Sequence, residues 1–564
     1  MGDAVSGAGE ALGSTERPAW WSFVEEDRFW WWLLALGILL NTLVIFTSDL
    51  GLDTNIHLTL ASQQQNSTDG EARLDWGHTR PIDAEASDPS YAPVREYGWF
   101  TFLPSSGDES TVRLFGWVYM MGLIAVAYRY SDGGLAGGAG IDPRSPRLAA
   151  VVAIHPTLIF ATGRVFPEAA IAVAVALAAL ALVRGCASDR SPTTTVLTAA
   201  AVALPLVLVL MIKGHDPMFG LVFGAAVLAW LVADDKIPAA REVTRRPSRA
   251  AALVAGSVSG AMIAIGFAGA GGTLSIIGLE PARYAFALLV AFGDVVLIYA
   301  LFGMLLWPFA GPAWRRLREV RDLAATSLAV LIAGFTAAII VYVAALWTYE
   351  AALWDAPWPW VMWTMGNNAR YVSLVIVPAH LLIQRVAALP TTDDENGATN
   401  MQEGGVEKAE SIPTLNVPGQ RAPAVAMGIL LLLPISLLTA VHGQTMWTDE
   451  AAVVLSDGMA DSEDFLFVAE PTLGMHWLYT FRGVIDADGS RNITGHWRSL
   501  DSGWQDELVN GTILPERGDL SSVEWLVLSP GVSWDAPPAG WSRAASGEAD
   551  MMNGGGKWVI WSTR

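Results

Sequence analysis

The feature that most constrains this chain is a series of long apolar runs between Phe29 and Val441. A transmembrane helix needs roughly 20 mostly apolar residues, and the runs in this sequence have about that length. Backbone polar groups inside a bilayer must be hydrogen-bonded within the protein, so apolar runs of this length predict helices. The sequence therefore predicts an α-helical polytopic membrane protein.

Hydropathy divides the runs into about eleven predicted transmembrane helices. They lie near 29–48, 112–130, 147–162, 168–184, 194–212, 217–233, 250–270, 283–307, 323–347, 370–387 and 424–441.

Basic residues are concentrated in alternate short loops, and this asymmetry predicts the orientation. The basic loops carry Arg184 and Arg190, then Lys236, Arg241, Arg245, Arg246 and Arg249, then Arg315, Arg316, Arg318 and Arg321. Loops rich in Lys and Arg stay in the cytoplasm, so the N-terminal tail 1–28 is predicted to lie there as well. The long loop 49–111 is then predicted to lie outside.

The same orientation predicts the remaining domains. Residues 29–388 form the main helical domain, and the polar segment 389–423 is predicted to be a disordered cytoplasmic linker. After the last predicted helix at 424–441, residues 442–564 are predicted to lie outside. Strand-like runs such as Phe465–Val468, separated by Gly, Pro and Asp turns, indicate a small extracytoplasmic α/β domain there.

Composition excludes several classes of partner. The formal net charge of -21 argues against nucleic acid, because phosphate binding needs basic patches. Cys186 is the single cysteine, which excludes an internal disulfide framework and a zinc site built from cysteines. The bilayer itself is the partner that the composition predicts.

The first group of candidate functional residues follows the first predicted helix. Asp49, Asp53 and His57 are spaced by four residues, which places them on one face if the helix continues. A partly desolvated carboxylate at a membrane surface is a plausible general base for a hydroxyl nucleophile. The alternative interpretation is a solvated helix end that runs into a polar turn.

Two tight turns on the predicted outer side carry further charges. Arg164 and Glu168 are four residues apart around Pro167, and they are expected to pair. Lys213 and His215 lie in a second turn, where cationic groups could neutralise a phosphate at the interface. In the alternative interpretation, Arg164 and Lys213 only extend their charges to the membrane surface.

The last group opens the tenth predicted helix from the outer side. Arg370 is followed by Tyr371, and a guanidinium stays charged and can bind a phosphate with two parallel hydrogen bonds. These charges share one membrane face, and ionisable groups at membrane depth suggest a functional site because they are expensive to place there.

Taken together, the motifs resemble those of the GT-C superfamily of polytopic membrane glycosyltransferases. The segment Asp53–His57 (DTNIH) is similar to the acidic motif of the first outer loop in that family. Gly163-Arg164 with Pro167-Glu168 is similar to its Arg-x-x-Pro-Glu pattern, and Asn368–Tyr371 with Pro378 is similar to its late Arg-Tyr element. A long first outer loop and a C-terminal outer domain also fit this resemblance.

The resemblance implies a mannosyltransferase-like enzyme that transfers a monosaccharide from a polyprenyl (dolichyl) phosphate to a lipid-linked glycan or protein acceptor, with inversion, at the outer face. Asp53 takes the place of the catalytic aspartate. Thr54 stands where the family has Glu, which leaves open whether Asp53 acts alone or Asp49 supplies a second carboxylate.

The resemblance also implies the remaining site residues. The cations Arg370, Lys213 and Arg164 would stabilise the departing phosphate, so no metal or nucleotide cofactor is demanded. The other predicted binding residues are Glu168, His57, Tyr371 and His215.

Two other function classes compete with this hypothesis. A secondary transporter would place charged groups near the bilayer midplane, whereas most charges here are near helix ends. A non-catalytic membrane scaffold with an outer recognition domain would tolerate the loss of the Asp53 carboxylate.

Overall fold

The ranges described by the structure, a computed structural model, begin at Trp20 and leave several gaps. They are 20–51, 54, 109–131, 146–187, 191–212, 217–270, 272–309, 317–318, 320–354, 358–359, 362, 369–387, 422–441, 447–461, 463–469, 484–485, 494–511, 520–549 and 556–564. Residues 389–421 of the predicted linker 389–423, and most of the predicted tail 1–28 and outer loop 49–111, lie outside these ranges, whereas residues 422 and 423 belong to a helix.

Apolar helices occupy all the positions predicted to span the membrane. The helices are α1 (Asp27–Thr47), α2 (Glu109–Ser131), α3 (Arg147–Ala153), α4 (Pro156–Gly163), α5 (Pro167–Ala187), α6 (Pro192–Ile212), α7 (Met218–Lys236), α8 (Pro238–Thr244), α9 (Pro247–Phe267), α10 (Ile276–Leu279), α11 (Pro281–Phe302), α12 (Leu323–Trp354), α13 (Ala369–Ala387) and α14 (Ala422–Val441). Within the described residues, eight helices are long and apolar enough to cross a bilayer, and α6 and α13 contain shorter apolar stretches. The predicted polytopic helical class is confirmed.

The predicted span 147–162 is divided into two short helices, α3 and α4, by a break at Ile154 and His155. The carbonyl of Ala153 accepts a hydrogen bond from the Asn41 side chain at 2.6 Å, and the carbonyl of Ile154 accepts one from the Ser436 hydroxyl at 2.5 Å. Neighbouring helices α1 and α14 therefore satisfy backbone groups that the break removes from the helical ladder. Non-helical backbone is tolerated inside a membrane bundle under this condition.

One end of the bundle, called here the arginine end, is held by charged side chains. It comprises the end of α7, helix α8, the starts of α9 and α12, and the end of α13. The Asp234 carboxylate is fully buried and accepts hydrogen bonds from Arg245 Nε at 3.1 Å and the Thr244 hydroxyl at 2.6 Å. The hydrogen bond that Arg245 donates to Asp234 raises the pKa of Arg245. Arg385 donates to both carboxylate oxygens of Asp322, at 3.0 and 2.9 Å. These pairs connect the helix ends to one another.

The C-terminal region forms a five-stranded mixed sheet with two helices. Its elements are α15 (Trp447–Gly458), β1 (Asp464–Ala469), β2 (Thr494–Ser499), α16 (Trp504–Asn510), β3 (Val523–Leu528), β4 (Ser542–Ala549) and β5 (Gly556–Ser562). The strand order is β2-β1-β3-β5-β4, with β1 parallel to β2 and β3, and β5 antiparallel to β3 and β4. Apolar side chains such as Leu466 and Leu526 are fully buried because they face a packed core. The predicted small α/β domain is confirmed.

Candidate functional site

The turn between α4 and α5 is the structural centre of the site. Helix α4 ends with hydrogen bonds from Phe166 N to Ala161 O at 2.9 Å and from Val165 N to Thr162 O at 3.1 Å. This hydrogen-bond pattern requires Val165 to adopt a left-handed backbone conformation, with φ of 54°. Glycine is usual there, and a β-branched residue makes the conformation a genuine outlier. Such strain costs on the order of 1–2 kcal/mol, and it persists where the surrounding contacts determine the backbone.

Those surrounding contacts come from the segment that follows α1. Gly51 N donates to the Arg164 carbonyl at 2.8 Å, and the Thr54 hydroxyl donates to the Val165 carbonyl at 2.9 Å. Thr54 is fully buried. Gly51 and Thr54 flank Asp53 in the sequence, so the described residues on both sides of the predicted catalytic aspartate contact the Arg164 turn.

The end of α1 is capped from α2. Arg113 Nη1 donates to the carbonyls of Ile45 at 2.6 Å and Ser48 at 2.5 Å. A cation at a helix C-terminus compensates carbonyls that have no partner within the helix. Helix α1 ends at Thr47, and Ser48 is extended, so Asp49 lies beyond the helix. The helical continuation considered for Asp49 is therefore wrong, because the chain turns there to reach the Arg164 turn.

Arg370, in the first turn of α13, is buried against α5. Its Nε lies 3.8 Å from Glu168 Oε2, and the two side chains are 9% and 1% exposed. Its Nη2 donates to the Tyr371 hydroxyl at 2.9 Å. The guanidinium carbon also lies 4.6 Å from the centroid of the Phe166 ring and 4.9 Å from that of Tyr371. A carboxylate and two aromatic faces thus fix the orientation of this cation.

Two arginines lie at opposite ends of a stacked pair of rings. The Phe160 and Phe166 rings are stacked with centroids 5.5 Å apart, and the Arg164 guanidinium carbon lies 5.1 Å from the Phe160 centroid. Burial lowers the pKa of Arg164, and the nearby charge of Asp49 opposes that shift. The side chains therefore follow one another in the order Arg164, Phe160, Phe166 and Arg370. Two cations lie at this one end of the bundle.

The structure brings together five of the predicted site residues: Asp49, Arg164, Glu168, Arg370 and Tyr371. Glu168 pairs with Arg370, a partner that the sequence spacing does not indicate. The other predicted residues, Asp53, His57, Lys213 and His215, lie outside the described residues.

Phe160 and Phe166 are site residues that the sequence reasoning missed. Their signal in the sequence is an aromatic residue on each side of Arg164, at four residues before it and two after. Either ring could be core packing on sequence grounds, and only the position of Arg370 identifies Phe166 as its support.

The chemistry available at this end is anion binding by two oriented guanidinium groups, with carboxylates close by. Within the part of the chain that the structure describes, no group of three or more His, Cys, Asp or Glu side chains could hold a metal ion. The arrangement suits a phosphate at the membrane surface, since arginine binds phosphate oxygens in a planar, two-point geometry.

Comparison with known proteins gives likenesses in fold. No protein-family model matches the chain, and no curated protein matches its sequence. The chain is similar to ArnT from Cupriavidus metallidurans in a crystal structure bound to undecaprenyl phosphate, with 12% identity, a TM-score of 0.37, and 94% of this chain and 97% of that chain covered. It is also similar to the archaeal oligosaccharyltransferase AglB from Archaeoglobus fulgidus, in complex with an inhibitory peptide and a dolichol-phosphate. That likeness has 11% identity and a TM-score of 0.40, and covers 91% of this chain and 70% of that chain.

TM-scores below 0.5 at such low identity leave the reaction to be judged from the site itself.

Proposed function

We propose that the protein is an integral membrane glycosyltransferase. It moves a monosaccharide from a polyprenyl-phosphate carrier to a lipid-linked glycan or protein acceptor, at the outer face of the membrane. The observation that carries this proposal is the buried guanidinium of Arg370, oriented by Glu168 and by two ring faces at the end of a membrane helix.

A buried cation in this position needs a physical reason. Removing a guanidinium from water is expensive, so opposite charge is needed beside it, and Glu168 lies 3.8 Å from Nε. A ligand phosphate supplies the opposite charge and accepts two hydrogen bonds from the planar guanidinium. A carrier lipid can deliver such a phosphate to the surface while its hydrocarbon tail stays in the bilayer.

The proposal assigns the general base to Asp53, with Asp49 as the alternative. Gly51 and Thr54 attach the segment that contains Asp53 to the Arg164 turn, and that turn continues into Phe166, the support of Arg370. A base and a leaving-group cation must be fixed relative to each other to favour one transition state. The hydrogen bonds to the turn support this assignment.

The proposed step is a single displacement. The acceptor hydroxyl oxygen forms a bond to the anomeric carbon, while its proton passes to Asp53. The bond between the anomeric carbon and the phosphate oxygen breaks, and the carrier phosphate leaves with the electron pair. Arg370 and Arg164, with Lys213, His215 and His57 in the same proposed site, stabilise the charge that grows on that phosphate. Attack from the opposite face inverts the anomeric configuration.

The test is transfer by purified protein from labelled polyprenyl-phosphate mannose or glucose to a crude lipid extract. We expect Asp53→Asn to lower turnover by about 10²–10⁴-fold, because a positioned base contributes that much. Asp49→Asn is the comparison variant, and Asp535→Asn, in an exposed turn of the sheet domain, is the control. Full turnover in both the Asp53 and Asp49 variants would remove this loop from the chemistry.

A further inference from the structure

An apolar groove lies between α9, α11 and α12, and its lining includes none of the candidate site residues. Its volume is about 740 Å³, within the roughly 300–1,000 Å³ typical of small-molecule sites. Its lining includes small side chains such as Ala255 and Ala333 and larger ones such as Leu288 and Phe292. The lining is almost entirely hydrocarbon, which suits a hydrocarbon chain.

The groove follows the length of the helices. Its lining on α9 runs from Pro247 to Ile263, which at the rise of an α-helix corresponds to about 24 Å. The hydrocarbon core of a bilayer is about 30 Å thick. The groove therefore accommodates one long hydrocarbon chain lying nearly parallel to the helix axes.

One end of the groove reaches the arginine end of the bundle. Ser248 and Leu317 line it there, and the residues that follow them, Arg249 and Arg318, are both exposed. The described residues of segments 234–249 and 317–322 carry seven basic and four acidic side chains, in a chain whose net charge is -21. The rim is thus positive where the rest of the protein is acidic.

Two acids near this rim, the buried Asp234 and the partly buried Asp322, are already neutralised by other cations. Arg245 binds the Asp234 carboxylate, and Arg385 binds both oxygens of Asp322. These carboxylates therefore add little negative potential against an incoming anion. The groove combines an apolar interior with a cationic rim at one membrane surface.

We propose that this groove binds an anionic glycerolipid from the leaflet at the arginine end. One hydrocarbon chain occupies the space between α9, α11 and α12, and the headgroup phosphate lies against Arg249 and Arg318. Basic pockets between membrane helices recognise anionic headgroups in this way, through charge complementarity and hydrocarbon contact together. This site is separate from the proposed transferase chemistry, so either proposal can fail without the other.

The test uses native mass spectrometry of the full chain from nanodiscs that contain equimolar phosphatidylglycerol and phosphatidylcholine. We expect phosphatidylglycerol to be retained over phosphatidylcholine by about fivefold per contributing arginine. The double variant Arg249→Gln/Arg318→Gln should lose this preference. Arg184→Gln, which removes one exposed arginine from α5 outside the groove, is the matched control and should keep it.

A second pair of variants tests the hydrocarbon part. Ala333→Phe should fill the groove and abolish lipid retention, whereas Ala264→Phe, at an exposed α9 position outside the groove, should not. Equal retention of the two lipids by the wild type would overturn the proposal, and so would unchanged retention in Ala333→Phe. Displacement of phosphatidylglycerol by polyprenyl phosphate, or a lipid-free dimer closed over the groove, would assign the groove to a different occupant. The glutamine variants decide the question if Ala333→Phe does not fold.

Discussion

The two ends of the helical bundle use arginine and carboxylate side chains in different geometries. At the arginine end, Arg385 reaches both oxygens of Asp322 at 3.0 and 2.9 Å. At the site end, Arg370 Nε lies 3.8 Å from Glu168, while the Phe166 ring lies 4.6 Å from the guanidinium carbon. The first geometry is a two-point hydrogen-bonded pair, and the second is an ion pair supported by an aromatic face.

This difference is the one expected between a structural ion pair and a cation that is oriented for binding. Two-point hydrogen bonding uses the carboxylate and the edge of the guanidinium, so it fixes two helices to each other. An aromatic face attracts the guanidinium through the quadrupole of the ring. This contact does not use the N–H edge of the guanidinium. We therefore expect substitutions at the arginine end to change stability, and those at the site end to change the reaction.

The largest expected difference between the two ends is which side of the membrane each one faces. In a Cys186→Ala background, Ala270→Cys after α9 and Asp457→Cys in the sheet domain should be labelled by an impermeant maleimide in intact cells. Arg249→Cys should be labelled only after permeabilisation, because the arginine-rich loops are predicted to be cytoplasmic. All three positions are exposed. The reverse pattern would place the Arg370 site inside.

Exchange of arginine for lysine should separate the two ends by function. Arg370→Lys keeps the charge but loses the planar geometry, so single-turnover transfer should fall by about 10²-fold, with a smaller effect on donor binding. Arg385→Lys should leave transfer intact and lower stability by about 1–2 kcal/mol, since it loses a charged hydrogen bond to Asp322. Thermal unfolding in detergent and single-turnover assays measure the two effects. Wild-type transfer by Arg370→Lys would instead favour a simple anchoring role.

A smaller effect is expected from a single added methyl group. A Cβ at Gly51 would lie 2.5 Å from Cε1 of Phe166, so Gly51→Ala must displace the ring that supports Arg370. We expect a decrease in transfer of about tenfold, less than the roughly 10²-fold that a 1 Å misplacement can produce. Gly256→Ala is the matched control, because nothing lies within 4 Å of a Cβ added there. Equal activity of the two variants would show that the ring position is unimportant.

Hydropathy predicts the helical fold well because each apolar run is a local property of the sequence. Helix boundaries such as Asp27–Thr47 and Ala422–Val441 lie close to the predicted spans 29–48 and 424–441. Pro156 is a local sequence signal for the helix break at His155. The break is stable inside the bundle because Asn41 and Ser436 hydrogen-bond to its carbonyls. These residues are 112 and 282 positions away from the carbonyls that they satisfy, and one sequence does not reveal such pairings.

The sequence indicates the charged residues of the candidate site but not the aromatic ring that supports Arg370. Arg164, Glu168 and Arg370 stand out because charge at a membrane helix end is unusual. Phe166 does not stand out, since an aromatic residue beside an apolar helix is ordinarily core packing. The pairing of Glu168 with Arg370 joins helices α5 and α13, which are far apart in sequence, so spacing arguments favour the nearer Arg164.

The division of one membrane span into α3 and α4 has a mechanical consequence for the Arg164 turn. A break lets the helical segments on its two sides take different axes. Asn41 and Ser436 join the break to α1 and α14, which are distant in sequence. The position of the Arg164 turn at the end of α4 therefore depends on contacts with α1 and α14 and is not set by α3 alone.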